Sequence, residues 1–138
     1  MSSDDEAQAY LAEMGKRMRP LAAALHDVLL GLGCICYVKT IYIGYDINGE
    51  MVAALYGRSD HVEIALALPE DAEGDLLIDA SHLTWRTLPV AAIVRTKDEL
   101  DQFSALAGAA VERVRTSSHM VHRDNDYFMK SRRERRGR

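Results

Sequence analysis

Residues 34–56 read CICYVKTIYIGYDINGEMVAALY, and the alternation within this stretch decides the fold. β-Branched and aromatic residues crowd Cys34 to Ile47, and alternation with a period of two marks one or two strands. Asn48-Gly49 comes next. A type I′ turn needs positive φ at both central positions, which asparagine and glycine adopt at low cost, so the pair predicts a hairpin. EMVAALY is then the return strand, GRSD a further turn, HVEIALAL a third strand and LPVAAIVR the last. Between the last two, LLIDASHLTWRT fits either a short helix or irregular chain.

A two-residue turn sets Ile43 opposite Ala54 and Ile41 opposite Tyr56. One face then collects Ile41, Ile43, Tyr45, Ile47, Val52, Ala54 and Tyr56. Val62, Ile64, Leu66 and Leu68 join that face only if the GRSD turn is odd in length or bulged, because a one-residue shift exchanges the faces. Gly57 is the natural bulge residue. The opposite face carries Tyr42, Ala53, Leu55, Ala65 and Ala67, small and apolar at its centre. Either the first helix covers it or a second molecule does. A contiguous apolar patch marks an interface, and the commonest closed solution is a homodimer.

Helical periodicity brackets this region. Ser3 and Glu6 stand at capping-box spacing before Ala7, Tyr10, Leu11 and Met14, with Gly15 as a stop. A second helix is expected from about Pro20 to Leu32, burying Leu21, Ala24, Leu25, Val28, Leu29 and Leu32, with Gly33 as its C-terminal cap and His26 facing outward. Thr96 and Glu99 form a capping box for a last helix to about Arg115, with Leu100, Phe103, Leu106, Ala107, Ala110 and Val114 inward. The expected fold is α+β. An antiparallel β-meander of about four or five strands is flanked by N-terminal helices, and a C-terminal helix packs on the sheet. It occupies residues 1–118 as a single domain, followed by a tail at 119–138.

The stretches YVKTIYIGY, VEIALALP, LTWRTLPVAAIV and ELDQFSALAGAAVERV resemble the bacterial domain-of-unknown-function family numbered 5655, over about residues 18 to 116. More remotely, the chain is similar to small α+β proteins of the double-wing DNA-binding type. The first resemblance implies a compact α+β domain with an antiparallel sheet and carries no functional residue across. The second implies nucleic-acid binding, although the acidic body of this chain departs from that pattern.

Charge is segregated along the chain. Its 138 residues hold 17 Lys+Arg and 21 Asp+Glu, a formal net charge of −4. From His119 onward seven basic residues meet three acidic ones, which leaves 10 basic and 18 acidic residues before it. Tyr127 and Phe128 directly precede the run Lys130, Arg132, Arg133, Arg135, Arg136. Aromatics beside arginines suit stacking and backbone contacts with single-stranded nucleic acid, or docking on an acidic protein surface. The expected function is therefore a non-catalytic binding module that contacts nucleic acid or an acidic partner through its tail. The alternative is a small enzyme or ligand-binding protein with a pocket near Lys39, His82 and Trp85.

Other chemistry is thinly supported. Cys34 and Cys36 lack the further ligands of a zinc site and read as small apolar strand residues, reduced in a cytoplasmic protein. His119 and His122 share a helical face near Asp124 and Asp126, but a polar hinge is the plainer reading. EDAEGD lacks calcium-loop spacing. No cofactor, metal or catalytic residue is assigned, and neither a signal peptide nor a membrane span is expected.

Overall fold

The structure is a computed structural model that describes residues 3–12, 18–83 and 85–123, with the side chains at 3–5, 8, 12 and 117–123 outside the description. Two helices, α1 (Ser3–Ala12) and α2 (Arg19–Gly31), precede the strands β1 (Ile35–Val38), β2 (Ile43–Ile47), β3 (Glu50–Gly57) and β4 (Val62–Leu66). The chain continues through β5 (Leu77–Asp79), a 3-10 turn at Ser81–Leu83, β6 (Val90–Val94) and α3 (Leu100–Arg123). The six strands form one antiparallel sheet in the order β1-β2-β3-β4-β6-β5. The expected meander gains a short edge strand, β5, from the ambiguous LLIDASHLTWRT segment, and β6 inserts between it and β4.

The helix ends follow from their sequences. Pro20 sits in the first turn of α2, where its missing N–H costs nothing. At the other end Gly33 takes φ +100°, the Gly33 N–H donates to Leu30 O and the Cys34 N–H to Leu29 O. That pair of bonds is a Schellman motif, which satisfies carbonyls the helix leaves unpaired. Ahead of α3, the Glu99 carboxylate accepts from the N–H groups of Arg95 (2.6 Å) and Thr96 (3.2 Å). The helix then runs to Arg123, eight residues beyond the expected Arg115.

Asn48 (φ 55°) and Gly49 (φ 82°) make the two-residue turn, with Ile47 paired to Glu50. The ladder then slips. Asp46 pairs with Met51, but Tyr45 pairs with Ala53, so Val52 is an additional residue on β3. This bulge replaces the one expected at Gly57, since Gly57 pairs directly with Val62 across an even, four-residue loop. The single parity change that a common core requires is present, but in the first hairpin. Ile43 therefore faces Leu55, not Ala54. Ile41, expected in the core, lies in the β1–β2 turn and is 64% exposed.

Registration across the sheet now defines two faces. One aligns Val38, Ile43, Leu55, Ile64, Ala92 and Leu77, with Cys36, Tyr45, Ala53, Leu66 and Val90 alongside. Helix α2 reaches this face through His26, whose Nδ1 lies 2.8 Å from Tyr45 Oη, and α3 packs against both α2 and β3. His26 is 1% exposed, against the expectation that it points outward. The buried stripe of α2 is rotated from the expected one: Leu21, Ala22, Leu25, His26 and Leu29 turn inward, whereas Ala24 and Val28 are only half-buried. Phe103, Ala107, Ala110, Val111 and Val114 form the matching stripe of α3.

Tyr45 is fully buried, and a buried polar group left without its partner costs about 1–3 kcal/mol. Tyr45→Phe removes the only atom that meets His26 Nδ1 in this bond while preserving shape. The substitution is expected to lower the unfolding free energy by about that amount in urea titrations, with an unchanged m-value.

Candidate functional site

Among the described residues, the other face of the sheet carries no helix. A row of small residues crosses it, with Tyr37, Gly44, Ala54, Ala65, Ala91 and Ile78 registered one after another on the six strands. Gly44 is required by its neighbour. A Cβ at this position would lie 2.3 Å from Tyr37 Cζ, so the phenol ring lies across the glycine. Tyr37 also hydrogen-bonds Asp46. Burial, and then the charge of Asp46, push the Tyr37 hydroxyl up to about 12, while burial raises the Asp46 carboxyl against the opposing effect of that hydrogen bond.

Beyond the row lies an aromatic and ionic cluster. Trp85, from the connection between β5 and β6, donates its Nε1–H to Tyr56 Oη at 3.0 Å. Tyr42 meets Trp85 edge-on at a centroid distance of 5.5 Å and lies 5.5 Å from Tyr56. The Arg58 guanidinium sits 4.9 Å from the Tyr56 ring centroid, and its Nε and Nη2 donate to Glu63 Oε1 at 3.0 and 2.8 Å. His82 Nε2 stands 2.5 Å from the other oxygen, Glu63 Oε2. Glu63 is 3% exposed in the middle of a strand buried on both faces, so its charge needs both partners. Burial acts to raise its carboxyl, but the hydrogen bonds and charges of Arg58 and His82 outweigh burial and hold it below the ordinary 4.5.

The sequence-derived pocket residues are not brought together. His82 and Trp85 belong to this cluster, whereas Lys39 is an exposed turn residue whose Nζ lies 5.8 Å from the Tyr37 centroid. Trp85 also lines a cleft of about 670 Å³, which neither Lys39 nor His82 lines. The residues read as a dimer face divide between the two faces. Ala53 and Leu55 belong with the helix-covered side, while Ala65 aligns with Ala54 and Ala67 bonds Val52. Those four are buried and Tyr42 is half-buried, so the five do not make an exposed patch; the bulge at Val52 is what separates them.

Cys34 and Cys36 are buried and reduced, as small apolar residues would be, and burial pushes the Cys34 thiol up to about 11. Tyr127, Phe128, Lys130, Arg132, Arg133, Arg135 and Arg136 lie outside the described residues, as do the side chains of His119 and His122. Among the described residues no group of three His, Cys, Asp or Glu is placed to hold a metal ion, and no helix is long and apolar enough to cross a membrane.

Sequence reasoning missed the Glu63 cluster. Its signal was a lone carboxylate within the apolar strand VEIALAL, five residues after an arginine across a tight turn. Comparison with protein-family models, curated proteins and solved structures gives no match.

A carboxyl depressed in the folded state stabilises the protein fully above its unfolded value, and that contribution is lost as pH falls through its folded one. Glu63→Gln should therefore destabilise the protein at pH 7, with a difference from the parent that shrinks below about pH 4.5. Thermal melts of both proteins from pH 7 to pH 3 measure this directly.

Proposed function

We propose that the chain is a non-catalytic binding module for single-stranded nucleic acid, engaged by the helix-free sheet face together with the basic C-terminal segment. The observation that carries this reading is the aromatic array on that face, with cations placed over its rings: Arg58 over Tyr56 and Lys39 over Tyr37. The half-buried rings of Tyr37 and Tyr42 on an antiparallel sheet, with Lys39 and Arg58 nearby, suit base stacking and backbone contact, and the buried Tyr56 anchors Tyr42 and Trp85. Ile35, 71% exposed next to Tyr37 on β1, extends the apolar surface.

Electrostatics support the same reading. The body of the chain is acidic, which would repel a polyanion. On this face, however, Glu63 is neutralised by Arg58 and His82, and Asp46 is half-buried with its carboxyl raised by burial. Of the acidic loop from Glu70 to Asp75, Glu70 and Asp71 line the clefts beside β5 and α3, one of which reaches Trp85 at the margin of this face. Arginines at 132–136 would add phosphate contacts beyond the sheet.

The chain contains one tryptophan, Trp85, so its emission reports on this face without a label. Titration with a single-stranded oligonucleotide should change that emission, and the affinity should fall steeply with salt as counterions are released. Tyr37→Ala should weaken binding by about 1–3 kcal/mol, the range for losing one stacked base. Replacing Arg132, Arg133, Arg135 and Arg136 by glutamine should flatten the salt dependence. If an acidic peptide binds and the oligonucleotide does not, the partner is an acidic protein surface.

A further inference from the structure

The cleft of about 670 Å³ has a neighbour of about 530 Å³, and the two share Glu70, Arg86 and Pro89 as lining residues. They form one groove that runs from Val114 of α3 past Glu70 to Trp85. Apolar side chains line part of its walls, Leu68, Leu77, Val90 and the 43%-exposed Ile78. Its rim is acidic: Glu50, Glu70, Asp71 and Asp79 outnumber Arg86 and Arg113. Exposed Glu73 and Asp75 add to the same loop, and none of the four acids between Glu70 and Asp75 takes part in an ion pair among the described residues. Such a groove suits an occupant with aromatic side chains followed by closely spaced cations.

The chain supplies that segment. Residues 124–138 lie outside the described residues, and they contain Tyr127 and Phe128 followed by Lys130 and five arginines against one glutamate. Reach is sufficient. Helix α3 continues nine residues past Val114, about 14 Å at 1.5 Å per residue. Tyr127 lies four residues past Arg123, about 14 Å of extended chain, which returns the aromatics to the level of Val114 at the α3 end of the groove, whereas Arg132, nine residues past Arg123, reaches about 30 Å. We propose that the groove binds the C-terminal segment of the same chain, Tyr127 and Phe128 at its α3 end beside Leu68 and Val114, and the arginines across its acidic rim. The docked segment is then withheld from other polyanions, which must displace it to bind. That regulatory consequence rests on the nucleic-acid reading above, but the docking does not.

Trypsin cleavage after Arg132, Arg133, Arg135 and Arg136 in the full chain, without nucleic acid, tests the docking. The comparison protein carries Glu50→Gln, Glu70→Gln, Asp71→Asn and Asp79→Asn, with its melting temperature recorded alongside. In about 20 mM salt, where the Debye length is about 20 Å, the parent should be cut about ten-fold more slowly than this variant; in about 0.5 M salt the two should converge. Equal rates in low salt would overturn the proposal, and so would protection that rises with protein concentration, which would place the segment on a second copy. Protection as expected, but with no oligonucleotide bound by either protein, would sink the nucleic-acid reading and leave the docking standing.

Discussion

One additional residue on β3, Val52, decides what each face of the sheet becomes. A ladder without it would place Ile43 and Tyr45 beside Ala54 and Tyr56, and Leu55 and Ile64 on the opposite side. Large aliphatic side chains would then be split between the faces. With the bulge, Ile43, Leu55 and Ile64 fall in one register line beneath the helices, and Tyr45 turns toward His26. The same step sends Tyr56 to the other side, where it joins Tyr42 and Trp85 meets both. Core and candidate site are consequences of one backbone irregularity, as expected when side-chain direction has a period of two.

The second face raises a separate constraint. α1, α2 and α3 contact one another or the helix-covered strands, yet β3, β4 and β6 are buried on both sides. Burial without a helix works here because the middle of the face is nearly flat. Gly44, Ala54, Ala65 and Ala91 project little, so one phenol ring and an irregular connection lie close enough to exclude water. Burying Glu63 at the margin is costly for an ion, and Arg58 and His82 offset that cost. A thin cover of rings and ion pairs, half open to solvent, is chemically more adaptable than a helix would be in its place.

The sequence made some of this legible and concealed the rest for physical reasons. Asn48-Gly49, Gly33, Pro20 and the Thr96–Glu99 spacing act locally, through backbone conformations and caps that these residue types favour anywhere, and each stands where its type implies. The parity argument put the slip in the GRSD turn with Gly57 as its bulge, but the ladder slips at Val52 in the first hairpin, a position that no glycine marks. β5 has three residues and little periodicity to show. His26 and Glu63 were hidden for another reason. A polar residue inside the core is satisfied by partners 19 residues distant for His26, and 5 and 19 for Glu63, and sequence spacing does not encode such meetings.

Cys34 and Cys36 flank Ile35 at the start of an edge strand that pairs with β2 alone, and both thiols are shielded from solvent. A thiol held in this way exchanges with an aromatic disulfide reagent only while its strand is detached. The pair is therefore a built-in clock for the opening of β1. Its modification rate, divided by that of an unstructured cysteine, gives the population of molecules whose edge has come loose, independently of whether the rest of the sheet unfolds. Because the ring of Tyr37 on β1 lies across Gly44, the same fluctuation would uncover that glycine on the helix-free face. Partial unfolding at this edge and access to Gly44 are thus a single event on a common timescale.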